Sequence, residues 1–299
     1  MTREFTENQT FNRAPDAGQA QLPIGIFDSG VGGLTVYRAL HERLPNERFV
    51  YLGDTARVPY GTKSLKTIER YAIENSRFLA ARQIKLLVVA CNTASALALP
   101  AIRQAVDVEV IGVIEPGAQK AAQTAAGKIG VIATEATIGS HAYERAIKKF
   151  APRADVFQTA CPLFVSLAEE GWAETPEARS IAAKYLHKIV EASVEALVLG
   201  CTHYPILRQT IQTVVGSHVD LIDSGEATAE VVKQTLAEQK LINQSSAPAL
   251  KRFLCDDLDH FFVTDAAERF ALVAERFLGS QPSRLEAVEL WGNDELHAN

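Results

Sequence analysis

Cysteine is scarce in this 299-residue chain, four residues in all, and no two are spaced as Cys-x-x-Cys. That argues against a disulfide scaffold and against a zinc site, which needs closely placed sulfur or imidazole ligands, so no metal is expected. Lys and Arg form no dense run, and the formal net charge is -6, which leaves no electrostatic footprint for nucleic acid or anionic lipid. The long apolar stretch 84–98 is broken by Asn92, Thr93 and Ser95, so no membrane span is expected. Residues 1–21 lack a central apolar block and read as a flexible N-terminal extension rather than a secretion signal. These absences fit reduced thiols in a cytoplasmic protein whose partners are small molecules or other proteins.

What is present is an alternation. From Pro23 onward, short apolar runs are separated by helix-length amphipathic segments, the pattern of parallel strands joined by crossover helices. Strands are predicted at 24–27, 48–52, 86–90, 109–113, 128–133, 155–159, 196–199 and 219–222. Further strands are predicted near 252–255 and, at an edge, over 285–291. Helices are predicted over 34–44, 65–82, 142–150, 176–190, 227–237 and 266–278, with a polar loop over 239–249. The fold class is α/β: two facing, pseudo-symmetric domains with mainly parallel sheets. The first is expected to combine 22–118 with 229–299, the second to span 119–228, and the active site to lie between them.

Two echoes support duplication. Asp28-Ser29-Gly30 follows one strand and Asp223-Ser224-Gly225 another; Cys91-Asn92-Thr93 and Cys201-Thr202-His203 each follow an apolar strand. Ligands of open α/β sheets bind beyond the carboxyl ends of strands, where both cysteines fall. A lone cysteine beside a strand is commonly just a small buried hydrophobe, which is how Cys161 and Cys255 are read. The polar followers of Cys91 and Cys201 speak for chemistry, because hydrogen-bonding side chains at strand tips are costly to bury without partners. Two thiols that form neither a disulfide nor a metal site suit proton exchange at a stereocentre, where one base removes a proton and an acid delivers another to the opposite face.

The ordered motifs carry a resemblance as well. IGIFDSGVGGLTV (24–36), YLGDTARVPYG (51–61), VVACNTASA (88–96), IGVIEPG (111–117), IGVIATEATI (129–138), CPLFVSLAEEG (161–171), LVLGCTHYPIL (197–207) and LIDSG (221–225) together resemble the glutamate racemase family, from Pro23 to about Trp291. The resemblance implies that Cys91 and Cys201 are the two acid/base thiols, with Asp28 and His203 as their helpers and Glu169 near His203. Glu170, adjacent, is easily confused with Glu169. It further implies a substrate cradle of Ser29, Tyr60, Gly61, Asn92, Thr93 and Thr202, together with Asp28 and His203. The implied substrate is glutamate, interconverted between its L and D forms without a cofactor to supply D-glutamate for peptidoglycan, and a homodimer is expected.

Blander readings stand beside these. Asp28-Ser29-Gly30 also suits a tight turn with a capping carboxylate, Glu169 a solvated helix face, and His203 a satisfied structural histidine. A dinucleotide site is imitated by Gly30-Val31-Gly32-Gly33, but the third glycine of that fingerprint would fall at position 35, which is Thr35. An aspartate or hydantoin racemase would keep the two-thiol logic and change the substrate.

Overall fold

The computed structural model describes residues 18–125, 127–244 and 252–290. Among the described residues ten strands are formed: β1 (Ile24–Asp28), β2 (Phe49–Gly53), β3 (Leu86–Val89), β4 (Glu109–Gly112), β5 (Lys128–Ala133), β6 (Asp155–Ala160), β7 (Ala196–Gly200), β8 (Asp220–Asp223), β9 (His260–Val263) and β10 (Leu285–Ala287). Between and after them run α1 (Leu34–Arg43), α2 (Leu65–Ala80), α3 (Asn92–Leu97), α4 (Leu99–Ala105), α5 (Ile114–Thr124), α6 (Glu135–Gly139), α7 (Ala142–Phe150), α8 (Leu163–Glu169), α9 (Pro176–Ala192), α10 (Arg208–Val215), α11 (Ser224–Glu238) and α12 (Ala267–Leu278).

The strands make two wholly parallel sheets, one ordered β10-β9-β2-β1-β3-β4 and the other β6-β5-β7-β8. Each contains the same four-strand order: second, first, third, fourth. Strand residues alternate between two apolar layers, as the period-2 pleat requires. Ile24 and Ile26 of β1 face a core that also contains α1, α11 and α12, while Phe27 faces α2, α3 and α4. In the smaller sheet, Ile129 and Val131 meet α5 and α7, whereas Leu197 and Leu199 join the same large core as Ile24. One apolar core therefore runs through both sheets. The expected domain limits at 118/119 and 228/229 fall inside α5 and α11, and α11 packs on both α1 and α5. No helix among the described residues is long and apolar enough to cross a membrane.

The α/β pattern and most of the expected elements are present, their ends displaced by a few residues. One expectation fails: the segment 252–255 is not a strand. Arg252 is fastened to Asp256 and Asp259, and Cys255 sits in the left-handed region at φ 63, so the chain turns there. The sheet is resumed by β9, eight residues after Arg252. The expected edge strand is shorter than 285–291, ending at Ala287, and Trp291 lies outside the described residues. Of the expected N-terminal extension only 18–21 is described; there Gln19–Gln21 forms a short 3-10 turn, and the buried Lys85 ammonium donates to the Ala20 carbonyl at 2.7 Å.

Candidate active site

The two cysteine echoes differ in value. Cys91 follows β3 and Cys201 follows β7, the third strand of each repeated unit, so they occupy equivalent positions. Asp28 ends β1, but Asp223 ends β8, the fourth strand of its unit, so that pair is not equivalent. The true counterpart of the loop after β1 is the loop after β5, which begins at Thr134. Since β1 lies beside β3, and β5 beside β7, each cysteine emerges where the connections diverge, the position at which open α/β sheets bind ligands.

On the first side, Cys91 caps α3, its sulfur accepting from the Ala94 amide at 3.5 Å, and its thiol donates to Ser29 Oγ at 3.4 Å. Asp28 is almost wholly buried. Its Oδ2 accepts from the Gly30 amide at 2.9 Å, whereas Oδ1 has no hydrogen-bond partner among the described residues. Burial raises the Asp28 carboxyl, only partly offset by the charge of His203 and the amides of Gly33, Gly30 and Ser29. Burial first, and the Asp28 charge second, push the Cys91 thiol up to about 12. This side therefore holds its sulfur as a protonated donor.

The second side is built with the opposite charge. Cys201 is followed not by an α-helix but by a turn and the short 3-10 segment Tyr204–Leu207, so its neighbour is a side chain: His203 Nδ1 at 3.8 Å. His203 Nε2 lies 3.0 Å from Glu169 Oε1. Burial opposes the imidazolium, but the bonds and charges of Cys201 and Glu169 prevail and raise His203 to about 10. Burial likewise opposes the Glu169 carboxylate, which His203 and Arg269 nevertheless hold below its ordinary value. An imidazolium beside the sulfur is the counter-ion that a thiolate needs. Of the neighbouring acids, Glu169 faces His203, and Glu170 only approaches Arg269, at 3.5 Å.

The remaining expected residues surround the two thiols unevenly. Thr93 forms a hydroxyl cluster with Thr134 at 3.1 Å and Thr137 at 3.2 Å. The Gly61 backbone packs against Thr134, close enough that a Cβ there would come within 3.2 Å of its side chain. The Tyr60 hydroxyl, by contrast, is engaged by Asp54 and by Asn75 Nδ2, so Tyr60 meets this cradle through its backbone neighbour and not through its phenol. Asn92 Oδ1 accepts from the Tyr143 hydroxyl at 2.6 Å, and its Nδ2 is buried without a partner among the described residues. The Thr202 carbonyl accepts from Thr35 Oγ1 at 2.8 Å. Gly32 fits beneath Thr202 and His203, where a Cβ would stand 2.2 Å from Thr202 Oγ1. Gly32 thus lets the loop after β1 come against the turn that follows Cys201.

Thr134, Thr137, Tyr143 and Arg269 escaped the sequence reading, and Gly32 entered it only as part of an imitated dinucleotide fingerprint. Thr134 and Thr137 lie in a motif quoted for resemblance alone; Tyr143 and Arg269 carry no local signal. Among the described residues no group of three or more His, Cys, Asp or Glu could hold a metal ion.

The family profile described as Asp/Glu/Hydantoin racemase matches residues 24–232. The chain belongs to that family. It is 50% identical over 268 residues to the glutamate racemase of Geobacter metallireducens, covering 89% of this chain and 96% of that one. The crystal structure of Francisella tularensis glutamate racemase, in complex with D-glutamate, superposes with a TM-score of 0.82 at 39% identity, covering 91% of this chain and 98% of that one. A glutamate racemase isoform from Bacillus anthracis gives 0.84 at 36% identity with the same coverage. These relatives mark the protein as an amino-acid racemase.

Proposed function

We propose that this racemase interconverts L- and D-glutamate by a two-base mechanism in which Cys91 and Cys201 address opposite faces of the α-carbon. The observation that carries the proposal is the pair of thiols at equivalent strand ends of two sheets, one bonded to Ser29 within the field of the Asp28 carboxyl and the other beside the His203 imidazole. In one direction the Cys201 thiolate removes the α-proton from one face, and Cys91 delivers its thiol proton to the other. The electron pair of the broken C–H bond rests on the carbanion-like centre and its α-carboxylate until the new C–H bond forms. The enzyme is left with a Cys201 thiol and a Cys91 thiolate. Asp28 and His203 accept or return protons to restore the starting state, and the reverse direction exchanges the roles.

The cradle serves the charged ends of the substrate. Hydroxyls of Ser29, Thr93 and Thr202, the Asn92 amide and backbone N–H groups hold carboxylates, and the substrate's own ammonium helps to stabilise the carbanion-like state. The buried, unpartnered Asn92 Nδ2 supports this, since an orphan donor in a dry site gains most from an anionic ligand. Glutamate is favoured over aspartate by the identity to curated glutamate racemases over most of the chain. The cellular role that follows is supply of D-glutamate for peptidoglycan in the cytoplasm, with a homodimer as the assembly.

The test is circular dichroism of L-glutamate in deuterated buffer with the purified protein, with α-deuterium followed by mass spectrometry. Loss of optical activity with one deuterium gained is the expected result. Activity on aspartate or a hydantoin alone would keep the two-thiol mechanism and move the substrate; activity on none would end the proposal.

A further inference from the structure

Three sequence motifs find no role in proton transfer: Leu221–Gly225, Ile111–Gly117 and the glycine that precedes Cys201. They converge on Tyr143, which α7 buries to 1% exposure. A Cβ on Gly117 would stand 3.4 Å from Tyr143 Cε1, and one on Gly200 would stand 2.9 Å from Cε2, so both glycines give room to this ring. Ser224, first residue of α11, lies against the same Gly117, 3.2 Å from where a Cβ there would stand, and donates its hydroxyl to the Leu199 carbonyl at 3.3 Å. The phenol proton goes to Asn92 Oδ1 at 2.6 Å.

We propose that Tyr143 is a positioning residue that fixes the amide rotamer of Asn92, directing Nδ2 toward a substrate carboxylate. An asparagine amide can present either oxygen or nitrogen to its surroundings, and the two have opposite effects on an anion. With Oδ1 held by the phenol, Nδ2 is the group left facing the site, buried and unpartnered among the described residues. Burial keeps the phenol protonated through the working pH range, so the donor does not titrate away. The link joins the two halves: Asn92 begins α3 behind the larger sheet, while Tyr143, Gly200 and Ser224 belong to elements around the smaller one. The carboxylate belongs to the glutamate of the proposed function, on which this assignment rests.

The experiment separates the two. Tyr143→Phe keeps the ring and removes the hydroxyl. In the ligand-free protein, the Asn92 side-chain NH2 resonances, assigned by their loss in Asn92→Ala, should shift and broaden in Tyr143→Phe. In the racemase assay, KM for glutamate should rise about tenfold while kcat falls much less, because a hydrogen bond to a charged group is lost in both ground and transition states. Tyr143→Phe should add nothing to the KM of Asn92→Ala. Should Tyr143→Phe prove poorly folded, Gly117→Ala, whose added Cβ would stand 3.5 Å from the Tyr143 hydroxyl, disturbs the same phenol and should move both readouts in the same direction by less. An unmoved NH2 pair, or an equal fall in kcat with KM unchanged, overturns the assignment. Inactive wild-type protein with a shifted NH2 pair would instead overturn the glutamate reading and leave Tyr143 in place.

Discussion

The two thiols occupy equivalent places in two similar sheets, yet their surroundings differ in sign. Cys91 sits beside a buried carboxyl and a serine hydroxyl; Cys201 sits beside an imidazole backed by a glutamate. The first setting favours the neutral thiol, and the second holds an imidazolium paired with a carboxylate. In the proposed mechanism, duplication of a fold supplies the mirror-like placement that a stereocentre requires, while side chains that differ between the copies would prepare one sulfur as acid and the other as base. The sides are also coupled, because the His203 charge lowers the Asp28 carboxyl and opposes its burial.

The comparison is broken most severely at the sulfurs themselves. Cys91→Ser and Cys201→Ser should each reduce racemisation by about 1,000-fold or more, since a hydroxyl is a far weaker acid than a thiol and supplies almost no conjugate base near neutral pH, and positioned acid/base groups contribute roughly 100- to 10,000-fold. Each variant should keep chemistry on one face, read as HCl elimination from one enantiomer of 3-chloroglutamate and not the other. Near-normal racemisation in both variants would show that the sulfurs are structural.

Most of this frame could be read from the sequence because buried parallel strands are short apolar runs and their crossovers are amphipathic, as at 128–133 and 142–150. The thiols were legible because Asn92-Thr93 and Thr202-His203 place polar side chains where burial demands partners. What the sequence could not show is contact between distant segments. Thr134 and Thr137 meet Thr93 across some forty residues, and Tyr143 reaches Asn92 across 51. The failed strand at 252–255 has a similar cause: Cys255 adopts positive φ without a glycine to announce it, held by ion pairs of Arg252 to residues beyond it. The role of Tyr60 was obscured for the same reason, its phenol being claimed by Asp54 and Asn75.

A smaller effect is expected at the helpers, and pH distinguishes them. Asp28→Asn and His203→Asn should each cost about 100-fold, with one direction losing more than the other at subsaturating substrate only as far as the fixed equilibrium constant permits. His203 is raised from 6.5 to about 10, so its ion pairing stabilises the fold fully below pH 6.5, declines above it and is gone beyond pH 10. Thermal unfolding of His203→Asn should therefore lack the alkaline decline of the parent between those values. Asp28, also raised, binds its proton more tightly folded than unfolded; the stability this gives is present below its ordinary value of 3.8 and lost as pH rises through its folded value. At neutral pH the buried carboxylate is a burden, and Asp28→Asn should raise Tm while lowering activity. A Tm that falls instead would mean that the carboxylate is held for the fold.

The finest distinction lies outside the thiol shells, on α12, a helix packed beside α1 whose Arg269, Arg276 and Phe277 reach the second side. Arg269 approaches Glu169 Oε2 at 3.7 Å, Arg276 donates to the Glu169 carbonyl, and the Phe277 ring meets the His203 ring edge-on at 6.0 Å between centroids. These contacts bear on the relay behind Cys201 and have no counterpart touching Cys91 among the described residues. Arg269 is 67% exposed, so its pairing is screened by solvent and an exposed pair contributes at most about 1 kcal/mol. Arg269→Ala should accordingly reduce kcat/KM by about two- to fivefold. Without that cation the Glu169 carboxylate is less firmly oriented but more basic, and a positive charge near the His203 imidazolium is gone, so the alkaline limb of the activity profile should move to higher pH. Added salt should weaken the parent toward the variant, because it screens the same charge. Cys91 chemistry, measured by one-sided elimination in Cys201→Ser, should be unchanged by Arg269→Ala. Equal losses on both sides would show that α12 supports the halves jointly and does not tune the relay behind Cys201.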